Sequence, residues 1–170
     1  MKSPISLLRK IVNCKLSIVN CELLIVNVGI ILLTLTPLNT LIPALSDNPW
    51  SRLTYSFRHA NILHAGINVF VFYQIVRNFR ISAARLAVAY LIAVLVPPMF
   101  ITAPAVGLSV IIYALFGLIV PFVATAKRKQ YITSILVFII PQVIIPHFAW
   151  HLHIYAFLTA LLLIVPSLKE

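Results

Sequence analysis

Long apolar stretches, broken by short polar or proline-bearing ones, make up almost the whole chain. The apolar stretches run from Leu23 to Leu41, Asn61 to Val76, Ala84 to Ile101, Val106 to Ala126, Ile132 to Ile145 and Trp150 to Val165. A membrane-spanning helix needs about 20 predominantly apolar residues, so the pattern predicts six spans joined by short connections. The second, fifth and sixth stretches are short, which local thinning of a bilayer would accommodate. Between them lie Pro43 to Arg58, the basic turn Arg77 to Arg85, Thr102 to Ala105, the Lys127-Arg128-Lys129 cluster and a turn near Pro146.

Composition supports this reading. Of 170 residues, 62% are hydrophobic and 9% charged, whereas soluble domains carry roughly 25% charged residues. A soluble fold cannot hide that much apolar surface. The length fits one domain, and the fold class expected is an all-α membrane bundle of six transmembrane helices.

The net charge of +10 raises the possibility of nucleic acid, but its distribution excludes it. With the N-terminus placed in the cytoplasm, Lys2, Arg9, Lys10, Lys15, Arg77, Arg80, Arg85, Lys127, Arg128, Lys129 and Lys169 fall inside, and only Arg52 and Arg58 outside. That asymmetry orients helical membrane proteins, and it puts both termini in the cytoplasm. The lipid bilayer is therefore the expected surrounding partner, in a multi-pass protein of a cytoplasmic membrane, bacterial by expectation.

The N-terminal region repeats every seven residues: Ile11-Val12-Asn13-Cys14, Ile18-Val19-Asn20-Cys21, Ile25-Val26-Asn27. Seven residues are about two helical turns, so each residue type would line a stripe. Coiled-coil association is one reading. A low-complexity extension over 1–22, merging into a membrane domain over 23–168, is the one adopted. No small-residue cleavage site follows a short apolar core, so a removable signal peptide is not expected. Cys14 and Cys21 sit on the reducing side, and no disulfide is expected.

Ionisable and polar groups at bilayer depth are costly and mark functional sites. His59, His64 and Asn68 are placed on the second span, Ser109 on the fourth and His153 on the sixth. His64 and Asn68 are four apart and share a helix face, with His59 just over a turn earlier at the outer mouth. Gly107 lies two residues before Ser109 and permits close backbone approach; Tyr113 shares the face of Ser109. Of the two histidines at the start of the sixth span, His153 is followed by Ala156 and Ala160, a strip on which another helix can pack closely. His151 has no such strip; it and His147 are expected at the interface, as is Trp150. The set reads as a nucleophile, a base and two hydrogen-bond donors. Only three acids exist, Glu22, Asp47 and Glu170, and none lies in the spans that hold Ser109 or His153. A Ser-His dyad is then expected in place of a triad.

These residues resemble the rhomboid intramembrane serine proteases. Trp50-Ser51-Arg52-Leu53-Thr54-Tyr55-Ser56-Phe57-Arg58-His59 is similar to the end of that family's first outer loop. His59-x4-His64-x3-Asn68 matches its second-helix motif. Gly107-Leu108-Ser109, continued by Tyr113-Ala114-Leu115-Phe116-Gly117, resembles its nucleophile helix, and Trp150-x-x-His153 the start of its last helix. Two departures are Val110, where the family usually has glycine, and Ala156 and Ala160 in place of glycines; Val110 is expected to crowd the contact beside the nucleophile. The resemblance implies that His64, Asn68 and the Ser109 backbone N–H stabilise the oxyanion, that Tyr113 stacks on His153, and that His59 supports the outer loop and water access. It implies single-span transmembrane substrates cut near the outer surface at small residues, with no cofactor, no metal and no nucleic acid. A catalytically inactive relative that binds transmembrane helices is the alternative. A haem or metal protein using His59, His64, His147, His151 and His153 is the third reading, disfavoured by the lack of carboxylate or cysteine partners in the spans.

Overall fold

The computed structural model describes residues 24–46, 48–144 and 149–164. The first two copies of the seven-residue repeat, with Cys14 and Cys21, lie outside them, as do His147, all three acids and both termini. The described residues form an all-α bundle. Its helices are α1 (24–34), α2 (Leu38–Leu41), α3 (Pro49–Thr54), α4 (Ile62–Phe79), α5 (Ala83–Val94), α6 (Ser109–Leu118), α7 (Thr125–Ile144) and α8 (Trp150–Ile164).

Six longer helices fall over the six apolar stretches, but prolines and caps shift their ends. The first stretch breaks after residue 34, ahead of Pro37, because proline disfavours helical geometry in the residue before it. The third stops at Val94, short of Pro97 and Pro98, and the fourth contributes only ten helical residues before Pro121. Conversely, α7 begins at Thr125, so the Lys127-Arg128-Lys129 cluster, expected in a turn, lies within its first two turns. The connection Pro43 to Arg58 is also structured: Asn48 Oδ1 caps α3 by accepting from Trp50 N at 2.9 Å, with Pro49 at the first helical position. Among the described residues, no helix is long and apolar enough to cross a membrane.

The apolar character is instead spread over outward faces. Leu63, Phe70, Leu91, Phe138, Ile144 and Leu162 are all exposed. So many large apolar side chains left exposed call for an apolar surrounding or a partner.

At the centre, α6 packs against α8. A Cβ on Gly117 would lie 2.6 Å from Ala160 Cβ and 2.6 Å from the Phe157 carbonyl, so the two backbones cross where glycine faces alanine. The expectation that Ala156 and Ala160 form a contact strip therefore holds; both are fully buried. Tyr155 OH donates to the carbonyl of Leu95 at 3.2 Å, tying α8 to α5. Tyr131 OH donates to the carbonyl of Phe116 at 3.0 Å, tying α7 to α6. At the end where α4 runs into α5 and α6 into α7, the Arg85 guanidinium sits 4.2 Å from the centre of the Phe122 ring. The opposite end carries the segment 39–61, which is stitched down by Tyr55 OH to Ala93 O at 3.1 Å, Tyr90 OH to Leu53 O at 2.7 Å and Leu45 N to Ala105 O at 2.8 Å.

Candidate active site

The residues before Ser109 approach α4 without side chains in the way. Gly107 has φ +106°, a conformation L side chains rarely adopt, and its N–H donates to the Tyr55 carbonyl at 3.1 Å. A Cβ there would lie 2.8 Å from His64 Cε1, 3.1 Å from His64 Nε2 and 3.0 Å from Asn68 Nδ2. His64 and Asn68 thus share one helix face and both abut the backbone two residues ahead of the serine. Asn61 sets where that face begins, its Oδ1 accepting from His64 N at 2.9 Å as the cap of α4.

Asn68 is buried, and its Nδ2 has no hydrogen-bond partner. A buried unmatched donor costs about 1–3 kcal/mol, so its presence calls for an explanation in function.

Ser109 is the first residue of α6. The first N–H groups of a helix have no acceptor inside it, and the helix dipole makes that end positive, so the Ser109 backbone can host negative charge. His153, in the first turn of α8, reaches across to it: Nε2 is 2.9 Å from Ser109 Oγ. Its other nitrogen, Nδ1, lies 2.6 Å from Gln142 Oε1 on α7. Gln142 Nε2 donates to Tyr113 OH at 2.7 Å and to the Phe138 carbonyl at 3.1 Å. The Tyr113 ring stacks on the His153 ring, with centroids 4.3 Å apart and planes 14° from parallel. Val110 is buried in the core, and beside it Ser109 Oγ stays within 2.9 Å of His153 Nε2.

Of the paired histidines, His153 meets the serine and His151 does not. His151 Nε2 is 2.9 Å from Thr102 Oγ1, at the edge of the bundle.

His59 departs from its expected place. It precedes α4 in the connection at 58–61, not on the helix, and it is fully buried. Its peptide is held on both sides by the side chain of Asn39, Nδ2 to the His59 carbonyl at 2.8 Å and His59 N to Oδ1 at 3.0 Å. The ring reaches Phe57 O from Nδ1 at 3.3 Å and accepts the Leu108 N–H at Nε2 at 3.4 Å. It therefore links the segment 39–61 to the residue just before Ser109. Asn39 and Gln142 are the polar residues that the sequence reading passed over. Each is a neutral amide in an apolar stretch, and the cost of a polar group at that depth was the signal available for both.

No carboxylate occurs among the described residues, and no group of three or more His, Cys, Asp or Glu converges there to hold a metal. Comparison with the curated proteins gave no match. Comparison with protein-family models matches the Rhomboid domain over residues 46–169, which takes in α3 to α8 and every residue of the site except Asn39. On that match, the chain belongs to the rhomboid family.

Proposed function

We propose that this rhomboid-family chain is an intramembrane serine protease that cuts transmembrane substrates with Ser109 and His153. The observation that carries the reading is the 2.9 Å approach of Ser109 Oγ to His153 Nε2, made between two apolar helices beside an unpartnered buried donor, Asn68 Nδ2. In this scheme Ser109 Oγ attacks a peptide carbonyl while His153 Nε2 takes its proton. The same proton then goes to the departing amine, leaving an ester on Ser109. A water, deprotonated by His153, attacks that ester and releases the new carboxylate, and the proton returns to Ser109 Oγ. The negative oxygen of each tetrahedral intermediate is stabilised by Asn68 Nδ2, His64 Nε2 and the Ser109 N–H. Asn68 then gains the acceptor it lacks at rest, so its interaction strengthens toward the transition state, as catalysis requires.

The bundle is read as six spans with the basic turns in the cytoplasm. Two features support that orientation. Arg85 lies over Phe122, bringing the basic turn at 77–85 and the end of α6 together at one end of the bundle. From there α6, ten residues long, rises about 15 Å, half of a hydrocarbon layer of ~30 Å, a length that supports a nucleophile held below the outer surface. A substrate helix hides its carbonyls in its own hydrogen bonds, so the substrates expected are single-span proteins with helix-weakening Gly or Pro near the outer end.

The test is to reconstitute the chain in liposomes with a single-span substrate and compare wild type with Ser109→Ala and His153→Ala. Cleavage by the wild type alone supports the proposal. Equal inertness of three folded proteins would replace it with the reading of a helix-binding relative.

A further inference from the structure

The histidine in this site has two nitrogens and one proton when neutral, and only one of the two arrangements can act. To accept the Ser109 proton, Nε2 must carry the lone pair, so the ring proton must sit on Nδ1. In a serine triad a carboxylate fixes that choice. Here no carboxylate is present among the described residues, and the atom facing Nδ1 is Gln142 Oε1 at 2.6 Å.

The amide orientation follows from its other neighbours. Its second arm reaches the Phe138 carbonyl at 3.1 Å, and a carbonyl oxygen can only accept. The arm on Phe138 must therefore be the NH2 group, which leaves the carbonyl oxygen toward His153. An oxygen there accepts from Nδ1–H and repels a lone pair. The Phe138 carbonyl, one turn back on α7, thus decides the tautomer of a histidine on α8. Tyr113 fixes the same ring from a third direction: its face stacks on the imidazole while its hydroxyl accepts from Gln142 Nε2 at 2.7 Å. Gln142 is itself buried, so water does not compete for these bonds.

We propose that Gln142 is a positioning residue that holds His153 in the Nδ1–H form with its Nε2 lone pair on Ser109, the place a carboxylate occupies in a serine triad. This deepens the protease reading and rests on it for its catalytic meaning. Because Gln142 is on α7 and the dyad on α6 and α8, the base is ready only while α7 stays packed against both.

The experiment pairs kinetics with a direct reading of the ring. Histidine 15N NMR on wild type, Gln142→Leu and Gln142→Glu reports which nitrogen of His153 bears the proton. The wild type should show a protonated Nδ1 and a lone-pair Nε2. Gln142→Leu, similar in size and without an acceptor, should lose that preference and lower kcat about 10²-fold, less than the ~10⁴ that a wrong tautomer costs a carboxylate triad. KM should stay within threefold, because no substrate contact is removed. Gln142→Glu keeps an acceptor toward Nδ1 and should retain the tautomer and kcat within about tenfold. A wild-type ring protonated on Nε2 overturns the proposal, as does a Gln142→Leu protein that keeps both tautomer and kcat. If the wild type cleaves nothing, the protease reading fails while the NMR comparison still decides the role of Gln142.

Discussion

Gly107→Ala tests whether the site is built as described, because one methyl group there strikes both proposed oxyanion donors, His64 and Asn68, at once. The added Cβ would stand 2.8 Å from His64 Cε1 and 3.0 Å from Asn68 Nδ2, against an ordinary contact of 3.4 Å or more. The imidazole must retreat by about 0.6 Å and the amide by about 0.4 Å, comparable to the ~0.5 Å within which a catalytic group has to be held. Losing one such donor typically costs 10²–10³ in rate, so kcat for a single-span substrate should fall by at least about 10². The positive φ adds backbone strain of roughly 1–3 kcal/mol, read as a lower thermal midpoint. Gly66→Ala is the matched control: it lies on α4, a Cβ there meets nothing within 4 Å, and it should leave kcat unchanged while stabilising the helix by about 0.5–1 kcal/mol. The assay is initial cleavage rate in liposomes beside thermal unfolding of the same preparations. A Gly107→Ala protein with kcat within threefold of wild type would refute the placement of His64 and Asn68 against the nucleophile loop.

Further outcomes follow from single contacts. Asn68→Leu should move rate and stability in opposite directions: kcat falls 10²–10³-fold with the lost donor, while the thermal midpoint holds or rises because a buried unpaired N–H has been removed. A midpoint that falls by several degrees would mean that Asn68 is bonded at rest. Gly117→Ala should destabilise by about 1–3 kcal/mol through the 2.6 Å approach to α8, measured as thermal unfolding; Ala160→Gly in the same protein should relieve only part, since the Phe157 carbonyl is as close as the Ala160 Cβ. His151→Ala, which removes the bond to Thr102 and nothing at Ser109, should keep kcat within a few-fold, and a loss of 10² would show that the wrong histidine has been chosen as base.

Much of this site was legible in the sequence because polar and ionisable residues are rare in apolar helices. Ser109, His153, His64 and Asn68 stand out by cost, and the Ala156 and Ala160 strip on α8 picked His153 over His151 for a reason the Gly117 crossing bears out. The helix ends were legible where an apolar stretch begins sharply, at Asn61, Ala84 and Trp150, and not at the prolines, where hydropathy runs on past Pro37, Pro97 and Pro121 and the helices do not. Hydropathy placed the start of α7 at Ile132, whereas the helix runs through three basic residues to Thr125, since charge does not prevent a helix from forming. His59 was grouped with the second span although the apolar stretch begins only at Asn61; the Asn61 cap starts α4, and the Asn39 clamp holds the His59 peptide ahead of it. Gln142 escaped notice because a search for titratable groups passes over an amide, although its depth carried the same signal as Asn68. The contacts between the segment 39–61 and the residues before Ser109 were out of reach, because they join positions about 50 apart, Gly107 to the Tyr55 carbonyl and Leu108 to the His59 imidazole, that no residue pattern pairs.

The central claim is that Ser109 is a nucleophile activated by His153. A fluorophosphonate forms a stable adduct on a serine only where a base removes the hydroxyl proton, and it requires no knowledge of the natural substrate. Mass spectrometry of the treated wild-type protein in detergent should find one adduct, on the peptide bearing Ser109, that is lost in Ser109→Ala and reduced at least 10²-fold in rate in His153→Ala. A folded wild-type protein that takes up no label at Ser109, or labels equally fast without His153, would contradict it.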